Sequence, residues 1–187
     1  MRIIMASLLA WAALAAGASA QDFVAQPGLS NLSVDLDTQT GNYSEWADRD
    51  LCGINALRAQ ITIPRLGQDQ RWIPAASFFV RRGDNFVGIQ FASPARLRPF
   101  SAELVQHTGG TTVQTPLNQS FVLDQPVDVA LDWTAAGMVT VTVAGQSRQI
   151  DLGGAPDSVS ISNSTSEAAI QPLRLGHVGP APVCAAH

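Results

Sequence analysis

The sequence contains no lysine, and several residue types that catalysis often needs are scarce. All 11 basic residues are arginine, and there are only three histidines, three glutamates and one tyrosine. So few histidines disfavour a metalloenzyme, and so few glutamates disfavour a glycosidase, which generally works through a pair of carboxylates. The formal net charge of -4 leaves no excess of positive charge to bind phosphates. We therefore expect no nucleic-acid partner.

Long apolar runs are absent except for one at the start of the chain. Arg2 is followed by an almost unbroken apolar stretch at residues 3–16, and Ala18-Ser19-Ala20 has the small-x-small pattern of a cleavage site. We expect residues 1–20 to be a secretory signal peptide and residues 21–187 to form a single exported domain, in the periplasm or outside the cell. A membrane span needs about 20 apolar residues, so we expect none in the mature chain.

Cysteine is scarce as well, and the two that occur are Cys52 and Cys184. Because an exported protein meets oxidising conditions, we predict a disulfide between them, with two buried free thiols as the alternative. In the chain-entropy model, closing a loop of this length contributes about 4–5 kcal/mol to the free energy of unfolding. The bridge would make an early segment and the C-terminus neighbours.

Alternating and β-branched segments fill the rest of the chain, and no segment shows a convincing helical period. Residues 56–63 and Val127–Trp133 alternate apolar and polar side chains, which predicts strands with one buried face. Residues 44–53 and the segment around Trp72 are polar, and we expect them to be loops. About a dozen strands with frequent turns predict an all-β fold, either a two-sheet antiparallel β-sandwich or a barrel.

The most regular hairpin of the chain spans residues 127–145, with the sequence VDVALDWTAAGMVTVTVAG. It resembles the x-L-x-W … G-x-V-x-V-x-V-x-G hairpin of concanavalin A-like lectin/glucanase and laminin-G-like jelly rolls. Residues 78–91 resemble the two-strand unit that precedes this hairpin, and residues 172–176 resemble the final strand. The resemblance implies a jelly-roll β-sandwich whose last strand pairs near the first, in agreement with the disulfide; another all-β sandwich is the alternative.

The catalytic residues of that superfamily have no counterpart in this sequence. Its glucanases carry a Glu-x-Asp-x-(x)-Glu set along one strand, whereas Glu45, Glu103 and Glu167 each stand alone. Asp128 and Asp132 share a face, but their Cα atoms are about 13 Å apart on an extended strand, which is wide even for inverting carboxylates at roughly 6.5–9.5 Å. The motifs of jelly-roll alginate lyases are not recognisable either. We assign no catalytic residues.

Sugar binding needs aromatic faces for C–H surfaces and planar polar groups for hydroxyls. Tyr43 and Trp46 in one polar loop, and Trp72 in another, are the aromatic candidates. A lid that seals one end of the sandwich is the alternative role for the first loop. Trp133 alternates with apolar residues, so we assign it to the core.

Polar side chains on strand faces form a second set of ligand candidates: Arg58, Gln60, Arg81 and Gln90. In a jelly roll one such face is the concave ligand groove, where arginine pairs with an acidic or hydroxylated glycan. Ordinary solvated strand faces are the alternative.

A structural calcium ion is the one cofactor that the resemblance suggests. Asp35, Asp37, Asp48 and Asp50 supply oxygen atoms in or near loops, but their spacing fits no dedicated calcium loop. We therefore predict no metal-ligating residues and no cofactor.

Together these features predict an exported, non-catalytic, lectin-like domain that binds carbohydrate or another surface ligand. One alternative is a structural β-sandwich of the periplasm or cell surface that packs against itself or another protein. The other is a glycan hydrolase or lyase with a non-standard site.

Overall fold

The computed structural model describes residues 22–67, 73–93 and 100–183. Its regular elements in these ranges are thirteen β-strands, β1 to β13: Phe23–Ala25, Leu32–Asp37, Tyr43–Asp48, Ala56–Leu66, Ala75–Arg82, Asn85–Ala92, Phe100–Thr108, Thr111–Phe121, Val127–Trp133, Met138–Val143, Gln146–Asp151, Ser158–Ser164 and Ser166–Val178. The predicted signal peptide at residues 1–20, Trp72 and Cys184 lie outside the described ranges. The described part of the chain contains no helix with the length and hydropathy of a membrane span.

The strands form two antiparallel sheets. The seven-stranded sheet has the order β1-β13-β4-β9-β10-β11, with β2 also paired to β13, and the six-stranded sheet has the order β3-β12-β5-β6-β7-β8. Apolar side chains from both sheets fill one core, including Phe78, Ile89, Leu131, Ile161 and Leu173, all of which are fully buried. The predicted two-sheet all-β sandwich is confirmed.

The predicted alternation is confirmed on the central strands. In β9, Val127, Val129, Leu131 and Trp133 are buried, while Asp128 is exposed. Successive side chains of a strand point to opposite faces of its sheet, so every second residue enters the core. The last strand, β13, pairs with β1 and β2 as well as β4, so the first strands and the last strand are neighbours.

The prediction of a loop at residues 44–53 is wrong for its first half, which forms edge strand β3. Trp46 pairs with Ile161 of β12 and packs against the core, whereas Tyr43 and Glu45 face outward. Only one large apolar side chain lies on the inward face of this short strand, so the alternation was too weak to see. Charged and polar residues are also typical of edge strands.

A buried asparagine joins the two sheets at one end of the sandwich. The side-chain amide of Asn163 in β12 donates to the carbonyl oxygens of Leu36 in β2 and Ser166 in β13, both at 2.5 Å. Its own carbonyl oxygen accepts a hydrogen bond from the Ser166 hydroxyl. Because buried polar groups are costly when they lose their partners, this network fixes how the ends of the two sheets meet.

We expect Asn163→Leu to lower the free energy of unfolding by about 2–4 kcal/mol, because the Ser166 hydroxyl loses its acceptor and two buried carbonyls lose a donor. Denaturant unfolding measures this change. Ser164→Ala is the matched control in the same strand, because the buried Ser164 hydroxyl has no hydrogen-bond partner among the described residues; its removal should not lower the free energy of unfolding. Equal losses in both variants would contradict the assignment.

The predicted pairing of Cys52 with Cys184 gains support from the neighbours of Cys52. Asn55, three residues later, exchanges two hydrogen bonds with the backbone of Val178 in β13, at 2.8 and 3.2 Å. These hydrogen bonds hold Val178, which precedes Cys184 by a few residues, close to the segment that contains Cys52. The described residues include no free cysteine. The pairing itself stays a prediction, because Cys184 lies outside the described ranges.

Peptide mapping of the non-reduced mature protein should recover Cys52 and Cys184 in one cross-linked peptide pair. Cys52→Ser should lower the free energy of unfolding by about 4–5 kcal/mol in the chain-entropy model. Reduction of the wild type serves as the control and should produce the same loss. Two thiols that react freely before reduction would show that the pairing is wrong.

Candidate functional site

The predicted ligand contacts lie on two opposite faces of the sandwich. Tyr43, Arg81 and Gln90 point outward from the six-stranded sheet, whereas Arg58 and Gln60 point outward from the seven-stranded sheet. The structure therefore does not bring these five side chains into one cleft. Trp46 faces the core and Trp72 lies outside the described ranges, so neither can be assigned to either surface.

The outer face of the six-stranded sheet carries a depression at Arg81, which we call the groove, and beside it a line of covered residues. Ser160, Phe79 and Val105 point away from the core on β12, β5 and β7, yet their exposed fractions are only 0%, 7% and 3%. The strand register places them in one line with Gly88 between the last two. Outward side chains that solvent cannot reach are covered by their neighbours, so this line is a floor beneath longer side chains such as Arg81.

Gly88 belongs to the floor for a steric reason. A Cβ atom at this position would lie 1.9 Å from the carbonyl oxygen of Phe78 on the neighbouring strand. No side chain fits in this space, so glycine keeps the middle of the floor low.

Arg81 of β5 forms the best-defined polar contact at the edge of the groove. Its Nε donates to the Ser160 hydroxyl at 2.7 Å, and its Nη2 donates to Glu45 Oε1 at 3.1 Å. Its guanidinium also lies over the rings of Phe79 and Phe86, at 5.8 and 5.4 Å from their centroids. Charge-assisted hydrogen bonds and cation–π contacts together hold the guanidinium in one orientation.

Two aromatic rings extend this edge across β6 and β7. Phe86 stacks on His107 with ring centroids 5.0 Å apart and an interplanar angle of 7°. The Nδ1 atom of His107 lies 2.8 Å from the Thr112 hydroxyl of β8. Arg81, Phe86 and His107 are direct neighbours across three strands. They therefore present a row of flat side chains beside the floor.

Tyr43 lies at the β3 side of the same face and is 57% exposed. Partial burial raises the pKa of its phenol above the usual 10.0; a hydrogen bond with Ser162 opposes the shift, and the Glu45 carboxylate adds to it. The phenol is therefore neutral at physiological pH. It can thus donate a hydrogen bond, and its ring offers apolar surface.

The groove has a volume of about 400 Å³ and lies between β3, β12 and β5. Its lining is polar and carries charges of both signs: Glu45, Ala47, Arg49, Arg81, Gly83, Asp157 and Ser158. Two arginines and two carboxylates balance one another there, and both kinds of group are open to a ligand.

Two of the carboxylates on this face, Glu45 and Glu103, are far apart. Glu45 lies on β3 and Glu103 on β7, four strand intervals apart in the sheet order. At about 4.8 Å for each interval, they are about 19 Å apart, whereas glycosidase carboxylates lie within about 9.5 Å of each other.

Three of the four aspartates considered as calcium ligands have other partners in the structure. Asp37 accepts a hydrogen bond from Arg65 at 3.1 Å, and Asp48 and Asp50 accept backbone N–H groups in the turn after β3. Within the described ranges, no group of three or more histidine, cysteine, aspartate or glutamate side chains is arranged to hold a metal ion.

Sequence reasoning did not select Glu45, Ser160, Phe86 and His107 as site residues. In the structure each of them lies on the outward phase of its strand. Only the register between strands shows that they share one face with Arg81, and register is a property of the folded sheet.

Several solved structures have the same fold. An alginate lyase from Pseudomonas aeruginosa matches with a TM-score of 0.52 and 15% identity over 69% of this chain and 67% of the lyase. An alginate lyase from Alteromonas sp. 272 matches with a TM-score of 0.54 and 10% identity over 77% of this chain and 86% of the lyase. These similarities confirm the predicted jelly-roll β-sandwich fold. At such identities they describe the fold alone.

A xylan β-1,4-xylosidase from Bacillus halodurans C-125 matches with a TM-score of 0.55 and 10% identity over 78% of this chain. The match covers 33% of the xylosidase, so this chain corresponds to one part of that enzyme. No protein-family model matches the sequence. No curated protein matches it either.

Tyr43 is the only tyrosine of the chain, so phenolate absorbance reports on this residue alone. We expect the folded protein to titrate above 10.0 and the unfolded protein to return to that value, so stability should fall as the pH rises past 10. Glu45→Gln should lower the pKa of Tyr43, and Ser162→Ala should raise it. Shifts of the opposite sign would contradict the described contacts.

Proposed function

We propose that the chain is exported and that residues 21–187 act as one domain that binds a glycan in the groove of the six-stranded sheet, without cleaving it. The observation that carries this proposal is the row of flat side chains at Arg81, Phe86 and His107 beside a floor of small or flat residues. Tyr43 and Gln90 contribute further contacts on the same face.

The chemistry of this surface suits sugars. Pyranose rings offer C–H surfaces that pack on aromatic rings, and their hydroxyls both donate and accept hydrogen bonds. The guanidinium of Arg81 is held in place before a ligand arrives, so little conformational entropy is lost on binding. The amide of Gln90 is similarly held by hydrogen bonds with Ser77 and Gln114, both at 3.3 Å.

The fold and the expected location support the same proposal. The structures that share the fold include two proteins named as alginate lyases and one named as a xylosidase, so alginate and xylan are reasonable first ligands. An exported protein, as residues 1–20 indicate, meets such polysaccharides outside the cytoplasm.

The proposed absence of cleavage rests on the spacing of ionisable groups. Glu45 and Glu103 are too far apart to act together on one glycosidic bond. Tyr43 is neutral and lies on β3, while His107 lies on β7, so the two are also about 19 Å apart. Asp157 lines the groove together with Glu45, but both of its carboxylate oxygens accept hydrogen bonds, from the Gly83 amide and the Ser158 hydroxyl.

We expect Arg81→Ala to weaken binding to alginate or xylan roughly tenfold or more, because a charged hydrogen-bond donor and the support of Phe86 are lost. Affinity electrophoresis and calorimetry with purified polysaccharides measure this change. Arg148→Ala is the matched control: Arg148 lies on β11 of the other sheet and donates to the carbonyl of its own neighbour Ser147.

The same experiment separates binding from cleavage. Release of unsaturated uronate or of reducing sugar by the wild type would contradict the non-catalytic assignment. If Arg81→Ala bound the polysaccharides as tightly as the wild type does, the assignment of the binding site to this groove would be wrong. The same holds if the wild type bound none of them.

A further inference from the structure

The outer face of the seven-stranded sheet carries a second polar depression, on the opposite side of the molecule from the groove described above. Its volume is about 360 Å³. The side chains that shape it are Arg58, Gln60, Asp128, Ala130, Thr142 and Arg174. Nothing in the proposed function uses these residues.

The depression arises from one small residue in the middle of the sheet. Ala130 of β9 lies directly opposite Arg58 of β4 on one side and Thr142 of β10 on the other. The longer side chains rise around its methyl group, which becomes the floor. From β13 to β10 there are three strand intervals, or about 14 Å, so an elongated ligand can lie across the strands.

The polar groups around this floor are held in fixed positions. Arg58 Nη1 forms an ion pair with Asp132 Oδ1 at 2.5 Å, and Gln60 Nε2 donates to Asp128 Oδ1 at 3.1 Å. In the described ranges, the second oxygen of each carboxylate has no recorded hydrogen-bond donor. These oxygens therefore stay available as acceptors for ligand hydroxyls.

Arg174 supplies available donors at the β13 side. It is paired directly with Arg58 across the strands, an arrangement of like charges that is unfavourable in a sheet. The ring of Phe23 lies near both guanidiniums, at 5.1 Å from Arg58 and 5.9 Å from Arg174. Arg58 also has Asp132, whereas Arg174 has no carboxylate partner in the described part of the chain. Its N–H groups are free to bind a ligand.

We propose that this depression is a second glycan site that takes an uncharged sugar. The inference rests on the proposed function for its class of ligand, a glycan, and it places a second binding site on the other sheet. Arg58 is neutralised by Asp132 at the margin of the depression, and Arg174 and Asp128 balance each other in its lining, so the surface has no net charge. Sugar hydroxyls donate to the aspartates and accept from Arg174, whereas an anion attracted by Arg174 is repelled by both aspartates. Two sites on opposite faces make the protein able to bridge two polysaccharide chains.

Residue-resolved NMR on the isotope-labelled mature protein tests the proposal. The probes are xylohexaose and cellohexaose, which are neutral, and a mannuronate hexamer, which is acidic. We expect a neutral probe to shift the amides of β4, β9 and β10. Arg174→Ala should weaken that binding roughly tenfold without changing the affinity of the six-stranded face.

Two further variants separate loss of the site from loss of the fold. Ala130→Leu fills the floor with a side chain that points to solvent, and it should abolish the shifts on this face. Arg65→Ala is the matched control: Arg65 lies on β4 outside the depression and pairs with Asp37 and Glu167. It should bind the probe as the wild type does.

The outcomes distinguish this inference from the proposed function. Shifts on the six-stranded face alone would overturn the second site and leave the first. Shifts from a neutral probe on the seven-stranded face alone would support the second site and overturn the first. Shifts on the seven-stranded face from the mannuronate hexamer only would overturn the assignment to an uncharged sugar. No shifts on either face would overturn both sites.

Discussion

Burial of the inward-facing apolar side chains between the two sheets is the interaction on which the rest of the structure depends. Along each strand every second residue enters the core, as in β9, where Val127, Val129 and Leu131 are buried. The intervening residues must then face solvent, because the side chains of a strand alternate. The core thus decides which polar groups each outer face carries. The packing of other, inward-facing side chains therefore determines which side chains form the two candidate sites.

The two outer faces differ in how their polar groups are supported. On the six-stranded face, Arg81 is fixed by Glu45, Ser160 and two aromatic rings, so charge and aromatic surface occur together. On the seven-stranded face, Arg58 forms an ion pair with Asp132 and lies beside Ala130, whose methyl group forms the floor of the depression. The first surface offers stacking and hydrogen bonding, and the second offers mainly hydrogen bonding.

The sequence predicted most of the fold and only part of the candidate site. Val127–Trp133 was found with its correct bounds, because long alternation with turns on both sides is a local signal. Strand β3 was missed, because Trp46 is the only large apolar side chain on its inward face. Tyr43 and Arg81 were selected as ligand contacts, but their shared face with Phe86 and His107 depends on the order and register of five strands. Sheet order comes from tertiary pairing, which a single sequence does not reveal.

The contact between Arg81 and Glu45 also connects a central strand to an edge strand. β3 pairs with β12 alone, and Arg81 of β5 reaches over β12 to the Glu45 carboxylate. A ligand oxygen that took the place of Glu45 at this guanidinium would release one of the ties that hold β3 to the sheet. Ligand binding in the groove and local opening of β3 would then be thermodynamically linked. The backbone amides of β3 would exchange their hydrogens faster in the ligand-bound protein than in the free protein.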